Sequence, residues 1–236
     1  MAANLCIWRL LEAPESWEIM KIKAGLIAAF TAGLLFTGIT VPADAGTTYT
    51  TNLRAAARAL PLAAENNLGY DRARYFGSGW IDTNRDCQYT RAEVLISETR
   101  VAPTYSSGGC TVTAGRWVTS WDNKVHTSPT TVQIDHLVPV AEAWGSGARN
   151  WTQARRVTFY NDLYAHSLNA QTNLLNQQKQ AKGPEDWMPP ANQCSYIAQW
   201  VMVKTRWGMT VDSREKAVLV QKADQCPAAS LTVVKY

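Results

Sequence analysis

Asp135 and His136 stand side by side in an apolar, β-branched stretch, with Val132 and Ile134 before them and Leu137, Val138, Pro139 and Val140 after. A carboxylate and an imidazole in a run that reads as buried are costly unless they are paired or bind something. Further along, Asn173, Asn176, Lys179 and Gln180 recur at steps of three to four and so share a helix face. Together these residues suit attack on a phosphodiester, whose anionic oxygens repel a nucleophile and whose leaving group is poor. A divalent cation offsets that charge, and a base activates water. Asp135 offers an anionic oxygen and Asn176 a neutral one. Two protein oxygens completed by water and a phosphate oxygen suit Mg²⁺ or Mn²⁺, whereas zinc prefers nitrogen or sulfur. His136, with a reference pKa of about 6.5, takes the role of general base. Lys179 and Arg156 are candidates for phosphate contact, with Arg149 and Arg155 nearby. Adjacent residues of a regular strand point to opposite faces, so a shared centre at 135 and 136 requires irregular backbone or approach from two sides.

The elements that would position these groups are readable in outline. Proline cannot donate to a sheet ladder, so Pro139 ends the strand that carries Asp135 and His136. A helical pattern runs over 48–66, with Leu53, Ala56, Leu60 and Leu62 near one face. Asp82, Asn84 and Asp86 are spaced like the start of a calcium loop but lack its later glycine and distal glutamate, which favours a side-chain-capped turn. A short helix over 90–97 carries Thr90 as cap and Glu93 in the capping-box position, with Arg91 placed for a local ion pair with Glu93 or to face the site. Residues 101–131 read as β-rich, turning at Asp122-Asn123, and His126 falls in a polar loop. A helix is predicted from about Trp151 to Leu163, with Asp162 at its end, and His166 is assigned to a loop. After Pro189 and Pro190 come two amphipathic helices broken at Gly208, the second capped by Asp212 or Ser213.

The bulk numbers fit an exported globular protein. The chain has 236 residues, 46% hydrophobic and 18% charged, and a net charge of +4, which excludes a disordered chain and suits a polyanion without demanding one. Met20 begins a second leader-like pattern, with Lys21 and Lys23, an apolar run from Ala24 to Val41, and Ala43-Asp44-Ala45 as a small-residue cleavage site. Residues 1–45 are expected to be a leader and signal peptide, leaving 46–236 as one secreted domain with no stable membrane partner. That remainder keeps Cys87, Cys110, Cys194 and Cys226. An even number in an exported chain reads as disulfides. Of three possible pairings, Cys87–Cys110 and Cys194–Cys226 are favoured because each closes a loop within one region. A zinc site is disfavoured, because no CxxC spacing occurs.

The stretch from Ile134 to Pro190 resembles the HNH, or ββα-metal, endonuclease superfamily. Over nearly all of the chain after the leader, it is similar to the secreted bacterial branch related to the C-terminal nuclease domain of GmrSD-type restriction enzymes. The resemblance is carried by YDR at 70–72, TRAEVL at 90–95, IDHLVPVAEAW at 134–144, Asn176, Lys179, WMPP at 187–190 and VKTRWGMTVD at 203–212. The branch usually continues N-R-S-K-G-D where this chain has Asn176-Gln177-Gln178-Lys179-Gln180-Ala181, so an arginine and an acidic residue are missing. The resemblance implies an α+β fold: a ββα-metal core with flanking helices and a disulfide-held β region. It also implies the same roles for Asp135, His136 and Asn176. Metal-dependent hydrolysis of DNA, and possibly RNA, without strict sequence preference is therefore expected. Two readings compete with it: an extracellular binding module that retains the fold without catalysis, and a phosphoesterase acting on small substrates.

Overall fold

A computed structural model describes residues 46–164 and 166–236; the predicted leader and signal peptide lie outside the described residues. In chain order the elements are β1 (Thr48–Asn52), α1 (Leu53–Ala59), α2 (Arg72–Phe76), α3 (Thr90–Glu98), β2 (Thr104–Tyr105), β3 (Val112–Ala114), β4 (Trp117–Val118), β5 (Val125–His126), β6 (Val132–His136), α4 (Val140–Gly145), α5 (Gln153–Tyr160), β7 (Leu168–Thr172), α6 (Asn173–Lys179), α7 (Gln193–Trp207), α8 (Ser213–Gln225) and β8 (Ser230–Val234). The strands pair antiparallel in twos: β1 with β8, β2 with β3, β4 with β5 and β6 with β7. The architecture is mixed α+β, with small sheets and two disulfides, Cys87–Cys110 and Cys194–Cys226.

Two apolar clusters hold these elements. The larger surrounds α7, where Trp200, Val201 and Trp207 pack with Leu53 and Ala57 of α1 and Leu219 of α8. The smaller joins α3 to the β6–β7 pair through Ala92, Leu95, Ile134, Leu168 and Ala170. The two C-terminal helices follow their predicted signals. Gly208 ends α7 at φ +63°, a left-handed conformation that glycine adopts without a Cβ penalty. Asp212 caps α8 by accepting the Glu215 N–H at 2.8 Å.

The helix predicted over 48–66 is corrected to a strand and a shorter helix. The threonine-rich segment 48–52 pairs residue for residue with Ser230–Val234, as β-branched residues favour. Asn52 then caps α1 by accepting the Ala55 N–H at 2.8 Å, and Pro61 forbids continuation beyond Leu60. The helix predicted from Trp151 begins at Gln153, because Thr152 is its cap. Thr90 opens α3 but does not cap it: its hydroxyl lies 3.0 Å from the Ile81 carbonyl and 2.8 Å from Asn161 Oδ1. Asp82 makes the expected capped turn, accepting the N–H groups of Arg85, Asp86 and Cys87 at 2.7, 3.2 and 2.9 Å.

Candidate active site

Strand β6 runs antiparallel to β7, with Asp135 opposite Asn169 and His136 opposite Leu168, and α6 leaves directly from the end of β7. Asn173 fixes that junction by donating from Nδ2 to the Thr130 carbonyl at 3.0 Å, just ahead of β6. This strand–strand–helix unit forms one wall of a cleft of about 420 Å³. Asp135, His136, Asn176 and Gln133 line it from the unit, Arg72 lines it from the first residue of α2, and Tyr70 from the segment just before that helix.

The geometric difficulty of adjacent strand residues is met by approach from two sides. The Asp135 carboxylate turns toward α6, where Lys179 Nζ donates to Oδ1 at 2.9 Å and to Oδ2 at 3.0 Å. The third Lys179 proton goes to the His136 carbonyl at 2.9 Å. The His136 ring turns toward α5 instead. Its Nε2 lies 2.8 Å from the Tyr160 carbonyl; a carbonyl only accepts, so Nε2 carries the proton and Nδ1 holds the free lone pair. Among the described residues Nδ1 has no hydrogen-bond partner. Trp80 stacks on the imidazole at 5.3 Å between centroids and 15° between planes. Burial pushes the His136 pKa down to about 3, and the positive charges of Arg72 and Lys179 reinforce that shift against the Tyr160 hydrogen bond. The imidazole is therefore neutral at ordinary pH. Burial pushes Asp135 the other way, up to about 6, against the pull of Lys179.

Two predicted phosphate contacts are corrected. Lys179 is fully buried, and its three protons are spent on Asp135 and the His136 carbonyl, so it orders the site from beneath. Arg156 is buried as well; it donates to the carbonyls of Tyr75 (3.1 Å), Ala148 (3.2 Å) and Trp151, fastening α5 to the loops around it. Arg155 donates to the Trp207 carbonyl at 3.0 Å and lies over the Trp151 ring. Asp162 collects Arg206, Trp207 and Ser167 in a buried node apart from the cleft. Arg91 binds the carbonyls of Pro129 and Val132, not Glu93. His126 lies on β5 within 2.9 Å of Thr131 Oγ1. The exposed cation at the cleft is Arg72, which donates to the Tyr160 hydroxyl. Its only sequence signal is its place in the YDR segment, far from the Asp-His pair.

The side chains present fit a hard divalent cation. Asn176 donates from Nδ2 to Gln133 Oε1 at 2.8 Å, which aims its amide and leaves Oδ1 without a protein partner among the described residues. A carboxylate has roughly four lone-pair sites, of which Lys179 uses two, so Asp135 retains acceptor capacity. Among the described residues no three His, Cys, Asp or Glu side chains cluster as a metal cage. A cation held here would take one carboxylate and one amide oxygen from the protein and keep most of its hydration.

Comparison with known proteins gives one relative and one family. A protein of Arthroderma benhamiae described as an uncharacterized secreted protein is 37% identical over 161 residues, which cover 67% of this chain and 76% of that one. No solved structure matches. Residues 89–222, which hold α3, the β6–β7–α6 unit, α7 and most of α8, match the family of GmrSD restriction endonucleases, C-terminal domain, and the chain belongs to that family.

Proposed function

We propose that this protein is an exported, divalent-metal-dependent endonuclease whose residues 46–236 form one nuclease domain, with β6, β7 and α6 as its ββα-metal core. The observation that carries the reading is His136 itself. It is a neutral imidazole whose protonated nitrogen is tied to a backbone carbonyl, and it lines a cleft together with Asp135, Asn176 and the exposed Arg72. His136 Nδ1 takes the proton from an attacking water. The imidazolium that forms is disfavoured by burial and by the cations around it, so the phosphate's negative charge raises the basicity of His136 when substrate arrives. Arg72 pairs with the non-bridging phosphate oxygens. Asp135 and Asn176 would hold Mg²⁺ or Mn²⁺, which would supply charge stabilisation at the phosphoryl group. DNA is the expected substrate class, RNA a further one. Export is supported by the two disulfides and by the description of the Arthroderma relative as secreted.

The test is cleavage of supercoiled plasmid and of RNA in Mg²⁺, Mn²⁺, Ca²⁺ or EDTA. His136→Ala is expected to lose about 100-fold or more, the usual worth of a positioned general base. Asn176→Ala should weaken the response to metal. Full cleavage by His136→Ala would overturn the mechanism. One observation favours a second reading. Lys179 already satisfies both Asp135 oxygens, as a module that binds without cutting would tolerate; binding of nucleic acid with no turnover in any metal would support it.

A further inference from the structure

Beside the cleft lies a second cavity of similar size, about 420 Å³, lined by Trp80, Tyr89, Arg91, Leu95, Val112 and Pro129. We infer that it is a nucleobase subsite, taking one unstacked base of the strand whose phosphate lies against His136. The inference rests on the nuclease reading and adds to it a place where the strand is gripped by its base.

Trp80 is the shared wall. Its indole stacks on the His136 ring and also lines the second cavity, so a base in that cavity and a phosphate at His136 stand one side chain apart. The cavity has the chemistry a base requires. A base is a flat ring with polar edges, and proteins hold unpaired bases by aromatic stacking with a few hydrogen bonds at the rim. Trp80, Leu95, Val112 and Pro129 supply apolar walls. Tyr89 is 57% exposed, a large aromatic surface that no core cluster uses. Arg91, Thr111 and Thr130 supply polar groups.

The cavity is also held in register with the cleft. Arg91 donates to the carbonyls of Pro129 at 2.8 Å and Val132 at 3.2 Å. It thereby fixes the rim to the first residue of β6, the strand that carries Asp135 and His136. Arg91 places positive charge at the mouth, where the adjoining phosphates of a bound strand would pass.

The experiment uses single-stranded DNA oligonucleotides with one abasic site moved along the sequence, bound to His136→Ala protein, which is not expected to cut. The cleavage position is mapped separately with the unsubstituted protein. Loss of one base, at a fixed offset from the scissile bond, is expected to weaken binding about tenfold. Tyr89→Ala should weaken binding of the intact oligonucleotide by a similar factor and erase that position dependence. Thr111→Trp, which fills the rim, should do the same, and thermal melting checks that both fold. A flat abasic profile, or an unchanged one in folded Tyr89→Ala and Thr111→Trp proteins, would overturn the subsite while plasmid cleavage leaves the nuclease reading standing. No cleavage of any nucleic acid by the unsubstituted protein would overturn both.

Discussion

Lys179 on α6 and Lys204 on α7 are both fully buried, yet they sit in different surroundings. Lys204 donates to Glu142, Ser146, the Thr210 carbonyl and Glu215. Two carboxylates thus share one ammonium, and burial pushes Glu215 up to about 7, so that a proton can replace the missing second cation. That cluster balances its charge internally. Lys179 has one carboxylate, Asp135, whose other side forms the wall of the His136 cleft. Its charge balance is open to whatever enters there. The same buried lysine is a fastening between helices in one place and the floor of the candidate site in the other. The difference lies in how many carboxylates face it and whether one of them reaches a cavity.

Replacement of each lysine by methionine is the direct way to break the comparison. Lys204→Met leaves Glu142 and Glu215 facing each other without a cation, and a buried pair broken from one side costs about 3–5 kcal/mol. We expect a drop of that size in denaturant unfolding, with cleavage per folded molecule retained. Lys179→Met should cost less, about 2–3 kcal/mol, because Asp135, already raised to about 6, can take a proton from the cleft. Its effect on cleavage should be larger, at least tenfold, since a protonated Asp135 would be a poor ligand for a cation and the bond from Lys179 to the His136 carbonyl is lost. If the two variants lose cleavage equally per folded molecule, the distinction between floor and fastening fails.

The sequence made half of this visible. The Asp135-His136 pair, the Asn176–Lys179 spacing, the cysteine pairing and the Asp212 cap are local patterns, and each corresponds to a local structure. The phosphate contacts expected of Lys179 and Arg156 fail because a cation's type says nothing of its depth; only the fold shows Lys179 buried under Asp135 and Arg156 ringed by four backbone carbonyls. Tyr70 and Arg72 stand in the YDR motif, but the sequence assigns them no place at the site. They reach the cleft from the start of α2 and the segment just before it, and no spacing rule links residue 72 to residue 136. The strand at 48–52 was hidden because its partner is the last strand of the chain, and helical periodicity over a short alanine-rich run outweighed the threonines.

A carboxylate with no lysine sharpens the contrast. Glu98, at the end of α3, is raised from its ordinary 4.5 to about 7 by burial, against the Ala170 N–H that it accepts and the charge of Arg100. The folded state therefore keeps a proton that the unfolded chain releases, and stability falls as pH rises from about 4.5 to about 7. Glu98→Gln keeps the acceptor and removes the titration. It should stabilise the protein at pH 8 by on the order of 1–2 kcal/mol, hardly at all at pH 4, and flatten the melting temperature between them. An unchanged pH slope would assign the dependence to other raised carboxylates, among them Asp135, Glu65 and Glu215.

The smallest effect concerns how the two helices stop. Helix α7 ends in Gly208 at φ +63°, while α6 ends in Gln180 at φ +52° and ψ −125°. The second conformation belongs almost wholly to glycine, and a side chain held there stores about 1–3 kcal/mol of strain. Gln180 also lines the cleft and follows Lys179 directly, in the position where the related branch carries glycine in N-R-S-K-G-D. Its backbone N–H still closes the helix onto the Asn176 carbonyl at 3.0 Å, so the turn is made despite the strain, and the stop itself does not depend on the glutamine side chain. Gln180→Gly should therefore raise stability by about 0.5–1 kcal/mol, the relieved strain less the extra freedom glycine gives the unfolded chain. Ala substituted for Gly208 should lower it by a comparable amount. A Gln180→Gly protein that melts lower than its parent would mean that the side chain makes a contact worth more than the strain, and would place Gln180 among the groups that shape the cleft.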